Sequence, residues 1–565
     1  MWSVEVRHLS EGVDEEFSIH WIEDVVQEIL EREFDDYLIS TGKSPSGSIH
    51  IGIMRELIVA DVIKRELLRL KKDTRSMFVV DDYDPLRSLP QSVTLSLSEW
   101  AGVPYSDVPD EFGCCESFGA HWANELIETF PEFGIDPDIV WTSKLYETDK
   151  MLDAVRVCLK KTETIREIMK EYVAKDFNAE QKKQYLKGME SWYPASVICP
   201  ECGKFQSGAK GEIVPNRVKD YDADSDTISF ECPECGHQAR LPLSDVRIKL
   251  TWRVDWPAKW YVLNVSCEPA GKDHSVKGGS YDTGLEVSRR VFDWEGPVKV
   301  PYEWVRISGR DMSTSEGIVF TPKTWLQIAP PELYRFIMLK TDLARAVNIR
   351  PEAIPDMIDE FERFERVYYG LDDADDETQA LAQIVYPLAM TGPVSEEYIP
   401  KLPFKFAVVM SQLEDLLGMD TIVERSEEAL KQQYALQTVP NVAKKRIPVR
   451  LRRARKWVEM FGSKGDLIQV PEEIPKQVLD TLTPEDATYL HEILNLLQEG
   501  PLQDEEIQTG VFETANELDF KVRRAFTVLY RVLISRKSGP RLGPFINMLG
   551  REWVIERIQK ALRSK

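Results

Sequence analysis

The chain is poor in cysteine and in basic residues, and it has no long apolar run. Eight cysteines among 565 residues are too few for a disulfide scaffold. Without a run of about 18 apolar residues no membrane span is expected, and the acidic first residues lack the apolar core of a secretory signal. Lys and Arg number 71 against 95 Asp and Glu, a net charge of −24. This balance excludes a protein that coats nucleic acid through bulk charge, but it allows a local basic patch. We expect a soluble cytoplasmic protein of three or four folded units.

The N-terminal third alternates strand and helix patterns. Apolar strands are predicted at residues 37–40 and 77–80, and a helix with period 3.6 lies between them. This βαβ pattern predicts a parallel sheet whose ligands bind at the carboxyl ends of the strands. The turn at residues 45–53 and the pair Asp81 and Asp82 are therefore expected beside one crevice.

Further along, the aromatic stretch at residues 250–265 is predicted to return to sheet, as if an insertion split one sheet into two halves. The acidic run at residues 372–377 predicts a linker or solvated loop, and the chain after it has almost wholly helical spacing.

Four cysteines form two CxxCG knuckles, Cys199 with Cys202 and Cys232 with Cys235. CxxC spacing lets two thiolates meet one ion, and four thiolates in a tetrahedron favour a structural Zn²⁺ with no open position for water. Two disulfides or four free thiols remain the alternatives. The other cysteines have no ligand spacing and are interpreted as small, partly buried residues; they are Cys114, Cys115, Cys158 and Cys267.

The turn between the first strand and the first helix has the composition of a phosphate site. A helix N-terminus offers free N–H groups and a partial positive charge. Gly47 and Gly52 allow close backbone approach, and His50 can donate a hydrogen bond to phosphate. The alternative is an ordinary strand–helix turn.

Here the sequence resembles the class I aminoacyl-tRNA synthetases, whose first signature is His-Ile-Gly-His and whose second is Lys-Met-Ser-Lys-Ser. The matching segments are residues 50–53 and 311–315. Among these enzymes it is most similar to the archaeal-type, class I lysyl-tRNA synthetases. The segments that carry this resemblance span nearly the whole chain: TGKSPSGSIHIG with Arg55 and Glu56, DDYDPLRSLP, WRVDWPAKW, EPAGKDHSVKGGSYDTG and GPRLGPFI.

The resemblance implies an α/β fold, a split Rossmann-like catalytic domain with a zinc-bearing insertion, followed by an all-α anticodon-binding domain. The implied order is a first catalytic half (1–150), the inserted four-cysteine domain (151–245), a second catalytic half (246–305), the signature loop and stem (306–371) and the helical domain (372–565). The implied reaction joins L-lysine to tRNA(Lys) through lysyl-adenylate, with ATP and Mg²⁺, in a monomeric protein.

The resemblance also assigns site residues. A lysine substrate needs a carboxylate for its ammonium and suits aromatic walls. The implied lysine-binding residues are Glu56, Trp252, Asp273, His274 and Tyr302. The implied catalytic residues are His50, Gly52, Arg310, Met312, Ser313 and Ser315. The implied ATP-binding residues are Pro45, Ser46, Gly47, His50, Gly52, Ile53, Asp311 and Thr314. Trp252 and Trp256 have the alternative of being core residues of the second half-sheet.

The two signatures depart from the family pattern. Ile53 replaces the polar residue that ends the first signature, and Asp311 and Thr314 replace the two lysines of the second. In the family that lysine charge neutralises the leaving pyrophosphate, so Arg310 is predicted as a substitute cation. These changes keep open a second hypothesis, a non-catalytic paralogue that binds tRNA. Glutamate as substrate is a weaker alternative, because Glu56 would repel it.

A basic patch interrupts the acidic C-terminal part. Its natural partner is phosphate backbone, and the alternative is a solvated helix face or an ion-pair network. Trp457 and Phe545 are candidate base-stacking aromatics. The patch residues are Lys444, Lys445, Arg446, Arg450, Arg452, Arg453, Arg455 and Lys456.

Overall fold

The structure, a computed structural model, describes residues 19–175, 177–208, 213–311 and 320–564. It divides into two compact units. Unit 1 is Met1–Lys323, Pro331–Ile349 and Gly370–Val394, and unit 2 is Thr324–Pro330, Arg350–Tyr369 and Ser395–Lys565. The predicted five-domain bounds stay a prediction. Within the described ranges, no helix is long and apolar enough to cross a membrane.

The first part of unit 1 builds three parallel strands with helices between them. Strands β1 and β2 are almost wholly buried, which matches their apolar sequences. The elements are α1 (Trp21–Glu31), β1 (Tyr37–Lys43), α2 (Ile53–Arg69), β2 (Thr74–Val80), α3 (Leu97–Trp100), α4 (Phe118–Ile127), β3 (Asp138–Trp141) and α5 (Thr142–Leu145). The predicted strand–helix–strand order is thus present.

An insertion of helices and short antiparallel strands follows. Thr148 caps the first of these helices by accepting a hydrogen bond from the Met151 amide, at 3.3 Å. The elements are α6 (Asp149–Lys160), α7 (Thr162–Tyr172), α8 (Ala179–Met189), β4 (Ala195–Val197), β5 (Gln206–Ser207), β6 (Val214–Pro215), β7 (Val218–Asp222), β8 (Thr227–Glu231), β9 (Gln238–Pro242) and β10 (Ile248–Leu250).

The chain then returns to the first sheet. The elements are α9 (Trp252–Leu263), β11 (Cys267–Gly271), α10 (Lys272–Ser275), α11 (Ser280–Phe292), β12 (Val298–Tyr302), β13 (Val305–Ile307) and β14 (Arg310–Asp311). The five-stranded sheet has the order β12-β11-β1-β2-β3, all parallel. Ile39 of β1 pairs with Ser76 on one side and Cys267 on the other. The strand order therefore reverses at β1, which is where a ligand crevice is expected.

The predicted sheet over residues 250–265 is wrong, because residues Trp252–Leu263 form a helix. Three tryptophans spaced four residues apart, Trp252, Trp256 and Trp260, follow one another along this helix with ring centroids 6.2 and 4.9 Å apart. Asp255 and Lys259, also four apart, form an ion pair at 3.1 Å. These contacts outweigh the preference of aromatic residues for strands.

The remaining elements are helical except for one strand. Unit 1 takes α13 (Pro331–Leu339), β15 (Val347–Ile349) and α15 (Asp376–Ala389), whereas α12 (Pro322–Ile328) starts in unit 1 and ends in unit 2. The acidic run is irregular up to the start of α15, in agreement with the predicted loop.

Unit 2 is a helical assembly, as expected for the C-terminal part. Here α19 packs against α16 and α18, and α21 to α25 pack on one another. Its helices are α14 (Ile354–Tyr368), α16 (Phe404–Ser411), α17 (Glu414–Leu417), α18 (Met419–Gln433), α19 (Asn441–Phe461), α20 (Lys476–Asp480), α21 (Pro484–Gln498), α22 (Asp504–Glu517), α23 (Val522–Ile534), α24 (Leu542–Leu549) and α25 (Arg551–Arg563).

Candidate active site and metal clusters

A cleft of about 810 Å³ opens in unit 1 at the carboxyl ends of β1, β11 and β12. It contains nine of the residues that the sequence assigned to nucleotide or lysine: Ser46, His50, Gly52, Ile53, Glu56, Trp252, Asp273, His274 and Tyr302. Pro45 and Gly47 lie in the same turn but are buried and do not line the cleft. The fold thus brings together residues more than 250 positions apart in the sequence.

His50 lies in the turn just before α2, and its neutral ring is a hydrogen-bond donor. The Gly52 amide donates to His50 Nδ1 at 3.2 Å, so that nitrogen accepts and the proton of a neutral ring is on Nε2. Burial, helped by the charge of Lys43, lowers the pKa of His50 to about 4. The ring therefore offers one N–H group to the cleft at neutral pH. Ile53, one residue past Gly52, is buried and offers no polar contact.

Glu56 is a buried carboxylate one helical turn further into α2. Tyr302 Oη donates to its Oε2 at 2.6 Å, and the Gly42 amide donates to its Oε1 at 3.1 Å. Burial raises the pKa of Glu56 to about 7 despite these two donors. Over the described part of the chain no lysine or arginine forms an ion pair with it. The group is oriented but not neutralised.

Aromatic rings form one wall of the cleft, and a second buried carboxylate lies behind them. The Trp256 and Trp260 indoles each donate to Glu268 at 2.7 Å, and burial raises the pKa of Glu268. The His274 ring lies 5.7 Å from Trp252 and 5.5 Å from Trp256. Trp252 is 47% exposed, so it faces the open cleft and is not a core residue.

His274 and Asp273 lie on α10, directly after β11. Ser280 Oγ lies 3.0 Å from His274 Nδ1. Partial burial lowers the pKa of His274, although the neighbouring Asp273 charge acts in the opposite direction. The imidazole is therefore neutral at pH 7, and Asp273 is the exposed carboxylate at the rim of the cleft.

A buried ion-pair network that was not predicted from the sequence also lines the cleft. Lys259 pairs with Asp81 and, at 3.1 Å, with Asp255; Lys249 pairs with Asp84 and, at 3.6 Å, with Asp255. Burial disfavours charge on both lysines, but the surrounding aspartates outweigh it and raise their pKa values. Tyr146 Oη also donates to Asp255 Oδ1 at 2.6 Å. The four-residue spacing of Asp255 and Lys259 was the available sequence signal.

The second signature falls mostly outside the described residues. Met312, Ser313, Thr314 and Ser315 are not described, and only the backbone of Asp311 is. Arg310 lies in β14 and pairs through its backbone with Ile307 of β13, and its side chain is exposed. Arg310 is not among the described residues that line the cleft.

The two cysteine knuckles meet at one point in the insertion. Cys199 Sγ lies 3.6 Å from Cys235 Sγ and Cys202 Sγ lies 3.6 Å from Cys232 Sγ, with all four sulfurs within 4.8 Å of one another. These distances exclude disulfides and fit a tetrahedron of Zn–S bonds, whose sulfurs lie about 3.8 Å apart. Gly203 and Gly236 follow the second cysteines with positive φ of 71° and 75°, the conformation that glycine supplies in a knuckle. The four thiolates can hold a metal ion.

The prediction that Cys114 and Cys115 are partly buried is confirmed for Cys115 and wrong for Cys114, which is exposed. Their sulfurs, 3.4 Å apart, form a second metal-capable cluster with Asp110 and His121, all within 4.8 Å. His121 Nδ1 lies 3.1 Å from Cys114 Sγ and 3.4 Å from Asp110 Oδ1. The ligand atoms come from a loop and from α4, so no CxxC spacing marks them. Cys158 and Cys267 are buried, as predicted.

The predicted basic patch lies on α19, where five members are engaged within unit 2. Arg450 pairs with Glu362 at 2.6 Å, Lys444 with Glu427 at 2.7 Å and Arg455 with Asp415 at 3.1 Å. Arg453 donates to a backbone carbonyl, and Lys456 pairs with Glu459. The others are exposed: Lys445, Arg446 and Arg452. Trp457 and Phe545 are buried core residues, so neither is positioned to stack on a base.

Comparisons with known proteins agree with this arrangement. The family model described as tRNA synthetases class I (K) matches residues 19–391, and the model of an anticodon binding domain matches residues 412–562. The chain is 32% identical to the lysine–tRNA ligase of Archaeoglobus fulgidus over 96% of this chain and 100% of that protein. It is 30% identical to the lysine–tRNA ligase of Methanocaldococcus jannaschii over 95% of this chain and 99% of that one. A glutamate–tRNA ligase structure from Elizabethkingia meningosepticum covers 94% of this chain at 10% identity and a TM-score of 0.40. The predicted resemblance is confirmed: the chain belongs to the class I tRNA synthetases of type K, the family of these lysine–tRNA ligases.

Proposed function

We propose that the protein ligates L-lysine to tRNA(Lys) in two steps. A lysine carboxylate oxygen attacks the α-phosphorus of ATP, the bond to the β-phosphate oxygen breaks, and pyrophosphate leaves with the electron pair. The ribose hydroxyl at the end of the tRNA then attacks the lysyl carbonyl and releases AMP. The observation that carries this proposal is the buried, unneutralised Glu56 in a cleft that also holds the first signature.

The pocket suits lysine in charge and shape. The substrate ammonium neutralises Glu56, whose two oxygens Tyr302 and Gly42 hold in place. The aliphatic stem of the substrate packs along Trp252 and Trp256. A glutamate substrate would place a second carboxylate against Glu56 and Glu268, which is unfavourable in a buried site.

The nucleotide binds at the start of α2. His50 Nε2–H and the helix N-terminus face phosphate oxygens, and Mg²⁺ arrives bound to the triphosphate. Positioning and charge neutralisation, not covalent catalysis, lower the barrier of this in-line displacement. The roles given by resemblance to Arg310, Asp311, Met312, Ser313, Thr314 and Ser315 remain part of this proposal.

The four-cysteine cluster is proposed to hold a structural Zn²⁺. A closed set of four thiolates leaves no position for substrate, so the ion would stabilise the insertion and take no part in the reaction. Removing it with a chelator should unfold that module.

The tRNA is proposed to bind unit 2 through the exposed face of α19. Lys445, Arg446 and Arg452 are the members of the patch that carry exposed charge without an ion pair inside the described part of unit 2. The protein is further proposed to act as a monomer in the cytoplasm.

The deciding experiment is lysine-dependent ATP–pyrophosphate exchange with Mg²⁺, measured with and without tRNA. Exchange that requires lysine, and that glutamate, arginine and ornithine do not support, is the expected result. Absence of exchange from folded, metal-loaded protein would leave the non-catalytic tRNA-binding paralogue as the better account.

A further inference from the structure

The cations that line the cleft differ in whether a carboxylate already holds them. Among the described lining residues the lysines and arginines are Lys43, Arg87, Lys249 and Lys259. Two aspartates hold each of Lys249 and Lys259. Lys43 and Arg87 have no ion pair with any described residue. Among the described residues that line the cleft, these two side chains are therefore the cations without a carboxylate partner.

Lys43 lines the cleft together with residues of the first signature. It is the last residue of β1, and its carbonyl accepts a hydrogen bond from the Asp81 amide at 3.1 Å, which fixes its backbone between two central strands. Its side chain is half-buried and lines the cleft beside His50. Its charge acts on His50, Glu56 and His274, which line the same cleft. Arg87 also lines the cleft, but it is exposed, and its charge acts on Tyr105.

The second signature lacks the lysines that the family has, and Lys43 is a cation that can replace their charge. By the family resemblance, Asp311 and Thr314 occupy the sequence positions of the two second-signature lysines, and Glu316 occupies the alternative position of the second lysine. In the family, lysine charge at this signature neutralises the leaving pyrophosphate. Carboxylates beside a triphosphate raise its free energy, and a half-buried ammonium is screened less than an exposed one. We propose that Lys43 binds the triphosphate of ATP and neutralises the departing pyrophosphate, the task that the second signature has lost. This inference rests on the proposed function.

The test compares Lys43→Met with Lys43→Arg, and Lys160→Met is the matched control. Lys160 is an exposed lysine at the end of α6 that does not line the cleft. Binding of MgATP, of adenosine and of lysine is measured by calorimetry, and pyrophosphate exchange is measured separately. Losing one charged hydrogen bond should weaken MgATP binding of Lys43→Met about ten- to a hundredfold and leave adenosine binding unchanged. Lys43→Arg should retain most of the affinity, and the control all of it.

The outcomes separate this inference from the proposed function. If the unaltered protein shows no lysine-dependent exchange, the proposed function fails, and MgATP binding by Lys43→Met still decides whether Lys43 holds phosphate. Unchanged MgATP affinity in Lys43→Met overturns the inference. So does an effect confined to lysine affinity, or equal weakening of adenosine. A larger MgATP loss in Arg310→Ala or Arg87→Met than in Lys43→Met would assign the task to that residue and also overturn it.

Discussion

Two sets of carboxylates line the same cleft and differ in what neutralises them. Asp81 and Asp255 are held by Lys249 and Lys259, and these charges outweigh burial and lower the pKa of Asp81. Glu56 and Glu268 accept hydrogen bonds from neutral donors only, and burial raises their pKa values. The first set completes its ion pairs on folding, whereas the second has no ion-pair partner among the described residues. Under the proposed function, this difference separates side chains that stabilise the fold from Glu56, the carboxylate that is proposed to bind the substrate ammonium.

The largest expected effect follows from neutralising Glu56, the carboxylate that is proposed to bind the substrate ammonium. Glu56→Gln keeps the shape and the Tyr302 contact but removes the charge that faces the ammonium. Loss of one member of a buried charge pair costs about 2–5 kcal/mol, so kcat/KM for lysine in pyrophosphate exchange should fall by a factor of about 30 to 5000. Glu268→Gln is the matched comparison and should lose less, because two indoles already satisfy Glu268. An unaltered KM for lysine in Glu56→Gln would show that Glu56 does not bind the substrate ammonium.

A comparable energy, measured as stability, is expected from the paired set. Asp255→Asn leaves Lys249 and Lys259 with one aspartate each inside a buried network. Breaking such a network costs about 3 kcal/mol, and the thermal midpoint of unfolding should fall by about 5 °C or more. Glu56→Gln should keep the midpoint or raise it, since it removes a buried charge without a partner. Equal midpoints for Asp255→Asn and the unaltered protein would show that the network does not hold the fold.

A smaller effect is expected from pH. Glu56, with its pKa raised to about 7, must release its proton to bind an ammonium ion. Lysine affinity should therefore weaken as pH falls, by about tenfold between pH 8 and pH 6, because the ionised fraction drops by that factor. Calorimetric titration at several pH values measures the slope. Glu56→Gln should flatten it, and a slope that survives the substitution would point to another group.

The smallest effect concerns the same contrast in unit 2. Replacing the exposed members of the patch, Lys445, Arg446 and Arg452, together by alanine should raise KM for tRNA about fivefold and reduce its salt dependence. Pyrophosphate exchange should stay unchanged. Arg450→Ala, by comparison, leaves Glu362 unpaired and should lower the stability of unit 2. If Arg450→Ala weakened tRNA binding more than the triple variant did, with no loss of stability, then Arg450 would be a tRNA-binding residue and the exposed residues would not be the main contacts.

Sequence patterns predicted the parts of the site that local spacing fixes. The CxxC knuckles and the strand–turn–helix around His50 are of this kind, and the family resemblance identified Glu56, Trp252 and Tyr302. The cluster of Asp110, Cys114, Cys115 and His121 escaped prediction because a loop and a helix N-terminus bring its ligands together. The prediction of sheet for residues 250–265 is wrong because tryptophans favour strands, whereas in α9 their four-residue spacing brings successive rings to 6.2 and 4.9 Å of one another within the helix.

The basic patch shows why charge composition alone overstates a binding surface. Eight basic residues in α19 predicted one phosphate-binding face, but a helix turns its side chains to all sides. Arg450 and Arg453 therefore pack inside unit 2, and three members remain exposed. Sequence spacing could not identify Arg450 and Arg453 as packed residues, because their partners on α14 and α12 are distant in the chain.

The pairing of β1 with β11 has a consequence for how this protein is made. Ile39 of β1 is the register partner of Cys267 of β11. Next to this pair, the Leu38 amide donates to the hydroxyl of Ser266, a residue 228 positions later in the sequence. A ribosome that adds about 5–20 residues per second synthesises that interval in roughly ten to fifty seconds. During that time β1 can pair with β2, but its other edge stays unpaired because β11 has not yet been synthesised. An open edge of this kind invites pairing with other chains, so yield in a cell should depend on chaperone capacity during synthesis more than on the stability of the finished fold.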